Sequence, residues 1–341
     1  HAAERGISVV LLESNDVGWG ASGRNGGQVN PNLRVTTDYL VRRFGKESGQ
    51  FVADMAAGAP DFLFALVARL GLNCGARRSG IIKLAHTAKA AEALKPVADS
   101  LAREGIAARL LGRSGVMQVV GTERYVAGLI DPRAGCVQPL SLARELARAA
   151  LRAGAKIYVR SPAIAIKQDG ARWHVSTPAG TVVAAQVIVA TNAYTDTLIP
   201  GLRETVLPVN SFQIATAPLD EALAKQVLSE GHTAHDTRRL ILYFRKDDQN
   251  RVVLGGRASF DSRAATRRDD YAKLVPVLTG LFPILRDVPV EFRWTGLVAI
   301  TRDHMPHVHA PAPGLHVALG YNGRGVALSV AMGKLLSERA A

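Results

Sequence analysis

Between positions 20 and 28 the chain reads Gly20-Ala21-Ser22-Gly23-Arg24-Asn25-Gly26-Gly27-Gln28, with four glycines in eight positions. Such a stretch lets backbone N–H groups approach an anion or a flat ring closely, while Ser22, Arg24 and Asn25 supply side-chain donors. By composition alone it reads equally well as a surface loop. Just before it, the run Ile7-Ser8-Val9-Val10-Leu11-Leu12-Glu13 ends in an acid. A carboxylate at the end of the second strand of a dinucleotide-binding fold accepts hydrogen bonds from two adjacent ribose hydroxyls. Glu13 stands at such a place, with a solvated strand-end acid as the plain alternative. The Gly-x-Gly-x-x-Gly turn that accompanies such an acid belongs about 20 residues earlier, ahead of His1.

The elements that must position these residues follow from the hydrophobic pattern. Ala2-Ala3-Glu4-Arg5 reads as a helix end closed by Gly6, and Ile7–Glu13 as a buried parallel strand. A chain that opens inside a helix, immediately before an internal strand, is expected to continue upstream with a short apolar strand and a glycine turn. Helical patterns span about 47–70 and 88–104, with a short strand, Gly80–Ala85, between them. A helix over 139–153 opens with Pro139 and is followed by a strand over 156–160. Strands at 173–177 and 181–184 flank a Pro-Ala-Gly turn, and Ala185–Ala190 reads as another buried strand. Residues 206–260 are rich in strand patterns, notably Leu240–Arg245 and Arg251–Gly255, and predict an antiparallel sheet of a second domain. A helix over 269–282, a strand over 315–319 and a helix over 326–338 complete the pattern, without internal repeats.

A length of 341 residues favours two domains. The composition, 48% apolar and 21% charged, is that of an ordinary globular protein. The longest apolar runs, such as Val182 to Ala190, fall short of the ~18 residues of a membrane span, so no integral membrane segment is expected. Lys and Arg outnumber Asp and Glu by 42 to 29, a net charge of +13. The arginines are scattered among Ala and Leu without a Lys-rich tail, which disfavours nucleic-acid binding and leaves charge available to an anionic cofactor or acidic substrate. Cys74 and Cys136 have no second Cys or His at metal spacing and read as reduced, buried thiols of a cytoplasmic protein. His304, His307 and His309 bunch in a Pro-rich loop but match no ligand spacing, so a solvated loop is favoured and no metal is expected.

Glu13 followed by Ala21-Ser22-Gly23-Arg24-Asn25-Gly26-Gly27 resembles the ribose acid and flavin-approaching loop of the D-amino-acid-oxidase-like FAD oxidoreductases, most closely their gamma-glutamylputrescine oxidoreductase branch. Val187-Ile188-Val189-Ala190-Thr191-Asn192-Ala193-Tyr194 is similar to the strand and turn by which that family touches FAD again. Gly320-Tyr321-Asn322-Gly323-Arg324-Gly325-Val326 resembles its C-terminal flavin loop, leading into a helix. By its position, that helix would aim its partly positive N-terminus at the flavin pyrimidine edge. The resemblance covers essentially the whole chain.

It implies an α/β FAD-binding Rossmann-like domain of the glutathione-reductase type with a second antiparallel-sheet (α+β) substrate domain. Residues 1–76, 136–205 and 295–341 would form the first, and 77–135 and 206–294 the second. The implied FAD contacts are Glu13 and Ser14; Ala21, Ser22, Gly23, Arg24, Asn25, Gly26, Gly27 and Gln28; Ala163; Thr191 and Asn192; and Gly320, Tyr321, Asn322, Gly323, Arg324, Gly325 and Val326. Attachment would be non-covalent, because both cysteines lie in the first half and no histidine falls between His1 and His86. Because hydride chemistry belongs to the flavin, no Ser-His-Asp device is expected. A small-molecule amine would lose a hydride and become an imine that hydrolyses, with dioxygen or an electron carrier taking the electrons. Tyr243 and Arg324 are candidates for orienting substrate or stabilising reduced flavin.

Amino-acid oxidases of the family place an arginine after a Gly-aromatic or Gly-Leu pair near their C-terminal domain boundary, where its planar fork grips the substrate carboxylate. Here Val298 takes that position in Trp294-Thr295-Gly296-Leu297-Val298, which favours an amine without an α-carboxylate, such as a glutamylated polyamine. A D-amino-acid dehydrogenase or a glycine or sarcosine oxidase is the alternative enzyme, and a flavin-free binding or regulatory protein the alternative of another class.

Overall fold

The computed structural model describes residues 1–259 and 271–340. Its largest feature is an eight-stranded sheet, ordered Val290–Ile300, Leu207–Thr216, Val252–Ser259, Tyr243–Lys246, Thr233–Asp236, Ile81–Ala85, Ala127–Asp131 and Arg109–Gly112. Neighbours run antiparallel except Thr233–Asp236 and Ile81–Ala85, which run parallel and set His235 in register with Lys83.

Because successive side chains on a strand alternate faces, one face of this sheet is dry. Ile82, Leu84, Ile130, Phe212, Ile214, Ala234, Phe244 and Leu254 bury there, against residues of the helices Arg113–Val120 and Val275–Leu281. The intervening residues, among them Lys83, Asp131, Gln213, His235, Tyr243 and Arg245, face the loops that carry the site. One hydrophobic pattern thus fixes both the core and the polar face.

The remainder is α/β. Two parallel ladders, Val10–Leu12 with Lys156–Tyr158 and Val187–Val189 with Leu315–Leu319, lie apart from the large sheet. An antiparallel meander, Ala165–Asp169, Arg172–Thr177 and Gly180–Ala184, packs through Trp173, whose indole donates to Pro313 O at 3.1 Å. The 25-residue helix Lys46–Leu70 packs on Thr37–Phe44 and Gly325–Arg339, burying Ala56, Ala59, Leu63 and Leu66 with Leu40 and Leu328. An 18-residue stretch of it has a mean hydropathy of 1.6, which makes it the one helix among the described residues long and apolar enough to cross a membrane. Scattered charges at Lys46, Glu47, Asp54 and Asp61 hide this from a search for unbroken apolar runs.

Several sequence expectations are corrected. Ile7–Glu13 is parallel but not buried: its ladder covers only Val10–Leu12, paired on one side among the described residues, and Val10 and Leu11 are 37% and 45% exposed. Ala185–Ala190 shortens in the same way to Val187–Val189, with Ile188 exposed. The helix expected over 88–104 is two, Ala88–Glu92 and Lys95–Arg103, divided where Pro96 has no N–H to continue the ladder. The strand expected from Leu240 starts at Tyr243. Of the helix expected over 269–282, residues 269 and 270 lie outside the described residues, and its regular part is Val275–Leu281. The expected second sheet exists, with one parallel pair among its antiparallel ones.

Phe244 is 1% exposed and meets Phe282 edge to face, with ring centroids 5.5 Å apart. Phe244→Ala should cost about 3–5 kcal/mol of stability, read as a lowered urea midpoint. A loss below about 1 kcal/mol would contradict this account of the core.

Candidate active site

The glycine-rich loop is built by Asn25. Its amide donates to Ala21 O and Ser22 O, both at 3.0 Å, and its carbonyl oxygen accepts from Gly27 N at 2.8 Å, folding Ala21–Arg24 into one short helical turn. The large sheet then holds the loop's main chain. Arg24 O accepts from Trp294 Nε1 at 3.0 Å and from Gln213 Nε2; Gly26 O accepts from Arg245 Nε at 2.8 Å; Gln28 Nε2 donates to Ala234 O at 2.8 Å. The Arg24 guanidinium lies 4.7 Å above the Trp19 ring and donates to Thr295 O.

This packing explains two of the glycines. A Cβ on Gly26 would stand 2.6 Å from the Tyr243 ring, and one on Gly27 2.2 Å from Val137 O. Tyr243 is half-buried with its hydroxyl 2.8 Å from Ser211 Oγ, and burial pushes that hydroxyl up to about 12. The ring is a platform for the loop and does not line the cavity described below.

The other FAD-contact candidates fall into two groups. Gly20 lies against the Tyr194 ring, Tyr194 Oη accepts from Leu297 N at 3.2 Å, and Asn192 Oδ1 accepts from Gly320 N at 2.9 Å, so the segments around 20, 192 and 320 meet. Thr191 Oγ1 is 2.6 Å from Thr195 Oγ1. Asn322, buried at a φ of +51°, accepts from Thr301 N at 3.0 Å and shapes the turn in which Gly323 adopts a φ of +80°. Arg324, Gly325 and Val326 follow at the start of the 15-residue terminal helix. Glu13, Ser14 and Ala163 lie at the Val10–Leu12 and Lys156–Tyr158 ladder, where Ser161 N donates to Glu13 O. One Glu13 carboxylate oxygen accepts from Asn15 N at 2.8 Å; the other has no hydrogen-bond partner among the described residues. A carboxylate with an open oxygen and a loop leading into a helix N-terminus beside a cation suit a cofactor with ribose hydroxyls and an electron-rich ring edge.

Between the loop Asn30–Arg34, the turn before the terminal helix and the polar face of the sheet lies a cavity of about 500 Å³. Arg34, Lys83, His235 and Arg324 line it. Arg34, exposed at the rim, donates from Nε to Asn322 O at 2.7 Å. Burial, with Arg324 nearby, lowers Lys83, and burial with the neighbouring Arg34 pushes Arg324 down to about 10, so Arg324 stays charged near neutrality. Burial, with Arg324, Lys83 and Arg34 nearby, holds the His235 imidazole well below its ordinary 6.5, so it is neutral. The sequence reading found Arg324 but missed Arg34, Lys83 and His235. The available signal was a lone Lys amid the apolar strand Ile81-Ile82-Lys83-Leu84-Ala85.

Among the described residues no group of His, Cys, Asp and Glu is arranged to hold a metal ion; His307 and His309 stack on each other, and His307 Nε2 lies 3.0 Å from Asp303 Oδ1.

Residues 1–339 match the DAO family, FAD dependent oxidoreductase. The chain belongs to this family. It is 31% identical to gamma-glutamylputrescine oxidoreductase of Escherichia coli, across 99% of this chain and 79% of that protein. It is 29% identical to a probable oxidoreductase of Haemophilus influenzae, across 98% of this chain and 78% of that protein. Among solved structures, glycine oxidase from Geobacillus kaustophilus matches with a TM-score of 0.85 at 23% identity, covering 100% of this chain and 90% of that one. L-proline dehydrogenase from P. horikoshii matches with a TM-score of 0.81 at 17% identity, covering 99% and 87%. The DAO-family chain is therefore an FAD-dependent oxidoreductase acting on C–N bonds, with the fold of these flavoenzymes.

In this DAO-family site the depressed His235 has a thermodynamic consequence. Below pH ~6.5 the unfolded chain binds a proton at this imidazole that the folded chain refuses, so stability falls as pH drops below that value. His235→Gln should flatten the decline in urea midpoint between about pH 6.5 and 5. An unchanged decline would show that His235 titrates normally in the folded protein.

Proposed function

We propose that this chain uses non-covalently bound FAD to oxidise the C–N bond of an amine of the gamma-glutamylputrescine kind, giving an imine that water hydrolyses. The observation that carries this reading is the apolar residue beside the flavin loop: Val298 Cγ1 lies 4.0 Å from where a Gly323 side chain would start. The other arginines near this stretch point elsewhere, Arg293 donating to its own strand's Val290 O and Arg302 lying exposed beyond its end. The 31% identity to the Escherichia coli enzyme supports the same substrate class. Free, buried Cys74 and Cys136 suit a reducing compartment such as the cytoplasm.

FAD would supply the hydride acceptor and pass electrons to dioxygen or a carrier. The chain's own contribution is binding and charge. Three cations around the cavity disfavour an ammonium inside it, since a like charge lowers the pKa of a bound amine. The amine is then held neutral, with the lone pair that must assist hydride departure. Glu13 would accept from the cofactor's ribose hydroxyls through its open carboxylate oxygen, and the partly positive start of the helix at Gly325 would favour negative charge on the reduced ring.

A second reading, oxidation of glycine or a D-amino acid, is favoured by the Arg34 and Arg324 guanidiniums at the same cavity. Steady-state assays of the holoenzyme against gamma-glutamylputrescine, simple amines, sarcosine, glycine and D-alanine separate the two. We expect the highest kcat/KM for gamma-glutamylputrescine; a clear preference for glycine or D-alanine would establish the second reading instead. Glu13→Ala should weaken FAD binding by roughly 1.5–3 kcal/mol while leaving the spectrum of the remaining bound flavin unaltered. Unchanged affinity would reduce Glu13 to a solvated acid.

A further inference from the structure

We propose that the buried network of Asp236, Arg238 and Tyr125 holds residues 237–241 as one wall of the cavity, and that Ile241 on this wall, with Val97 and Leu101, makes the site prefer amines carried on a long methylene chain. The inference rests on the amine-oxidation reading above and names the feature by which that site selects among amines.

Asp236 ends the strand Thr233–Asp236 and is only 1% exposed. A carboxylate taken out of water is retained as an ion only where donors surround it. Here Oδ1 accepts from Arg238 N at 3.1 Å and from Leu242 N at 3.0 Å, and Oδ2 accepts from Tyr125 Oη at 3.3 Å and from the Arg238 guanidinium. Tyr125 is fully buried. Burial, with Asp236 beside it, raises the Tyr125 hydroxyl well above its ordinary range, so it keeps its proton and donates. The same oxygen accepts from Arg238 Nη1 at 3.2 Å, and the guanidinium lies 5.4 Å from the centre of the Tyr125 ring.

One carboxylate thus ties both ends of the loop 237–241, which the main-chain bond from Asp236 N to Leu242 O closes at 2.9 Å. Thr237 fastens the loop sideways to the neighbouring strand Ile81–Ala85. Its N–H donates to Leu84 O at 3.0 Å, and its hydroxyl lies 2.7 Å from His86 Nδ1. A loop fixed in this way pays its ordering entropy on folding, not on binding. Thr237, Arg238 and Ile241 all line the cavity. The hydroxyl of the first and the guanidinium of the second are engaged within the network, so the group left to meet a ligand is the Ile241 side chain. Val97 and Leu101, one turn apart on the helix Lys95–Arg103, line the same cavity. Val97 is 38% exposed, which places it at the mouth. Apolar side chains there recognise methylenes, at about fourfold in affinity for each CH2 they take from water. Glycine has no chain to reach them, and an amine on several methylenes does.

The test measures kcat/KM of the holoenzyme for ethylamine, butylamine and hexylamine. We expect it to climb by about fourfold per methylene until the chain clears the mouth. Ile241→Ala, at a half-buried loop position that leaves the network whole, should lower the ratio of hexylamine to ethylamine at least about tenfold. Arg238→Met, which unties the loop without touching Ile241, should lower the same ratio at least about fivefold, through KM for hexylamine and not through kcat. Arg238→Lys, which keeps a cation for Asp236, should restore most of it. A network that serves the fold alone would lower kcat/KM for all three amines by one common factor, and that result overturns the proposal. A wild-type series flat with chain length, or a ratio unaltered by Ile241→Ala, overturns it as well. Should Arg238→Met not fold, Ile241→Ala and Arg238→Lys decide by the same ratio. If no amine reduces the flavin, the amine-oxidation reading fails, and the Kd values of the three amines, followed by flavin absorption, test the wall by themselves: a rise in affinity with chain length that Ile241→Ala flattens sustains it, and a flat series removes it.

Discussion

The glycine-rich loop is fixed by its carbonyls. Trp294, Gln213 and Arg245, from three strands of the large sheet, donate to Arg24 O and Gly26 O, and Gln28 reaches a fourth strand at Ala234 O. A buried hydrogen bond from a charged guanidinium contributes on the order of 1.5–3 kcal/mol, and Arg245 is almost wholly enclosed. This seam decides where the chain goes next, because Asn30–Arg34 follow directly and form one wall of the cavity. It also decides what the loop can be made of. With the Tyr243 ring and Val137 O so close, side chains at positions 26 and 27 have nowhere to go.

The sheet answers the loop through strand alternation. Each strand sends one set of residues to the dry core with Phe212, Phe244 and Leu254, and the other set to the seam and the cavity. Rigid strands therefore carry Lys83 and His235, while the two arginines arrive on turns pinned by Asn322. Core packing strong enough to hold the sheet is what allows like charges to stay together at its surface.

What the sequence disclosed and what it concealed divide along local and non-local lines. Glu13, the Gly20–Gln28 run and the turn at 320–326 are contiguous, and their residue types express local backbone demands. Asn25 illustrates this: its side chain closes its own turn, so the signal lies within three residues. Lys83, His235 and Arg34 express no local demand and meet only through a parallel crossover and a long loop. Val298 and Arg34 likewise approach the turn at Gly323 from separate segments, a meeting that neither segment shows by itself. Burial failed for Val10–Leu12 for a related reason, since the exposure of an apolar strand depends on how many neighbours it has.

Oxidation of a C–N bond by bound FAD is most directly tested in a single turnover. Holoenzyme mixed anaerobically with gamma-glutamylputrescine should lose its oxidised-flavin absorption. Deuterium on the carbon bearing the reacting nitrogen should slow that loss, and deuterium elsewhere should not. Stoichiometrically bound FAD that stays oxidised in the presence of this amine and every amino acid tried would contradict the account.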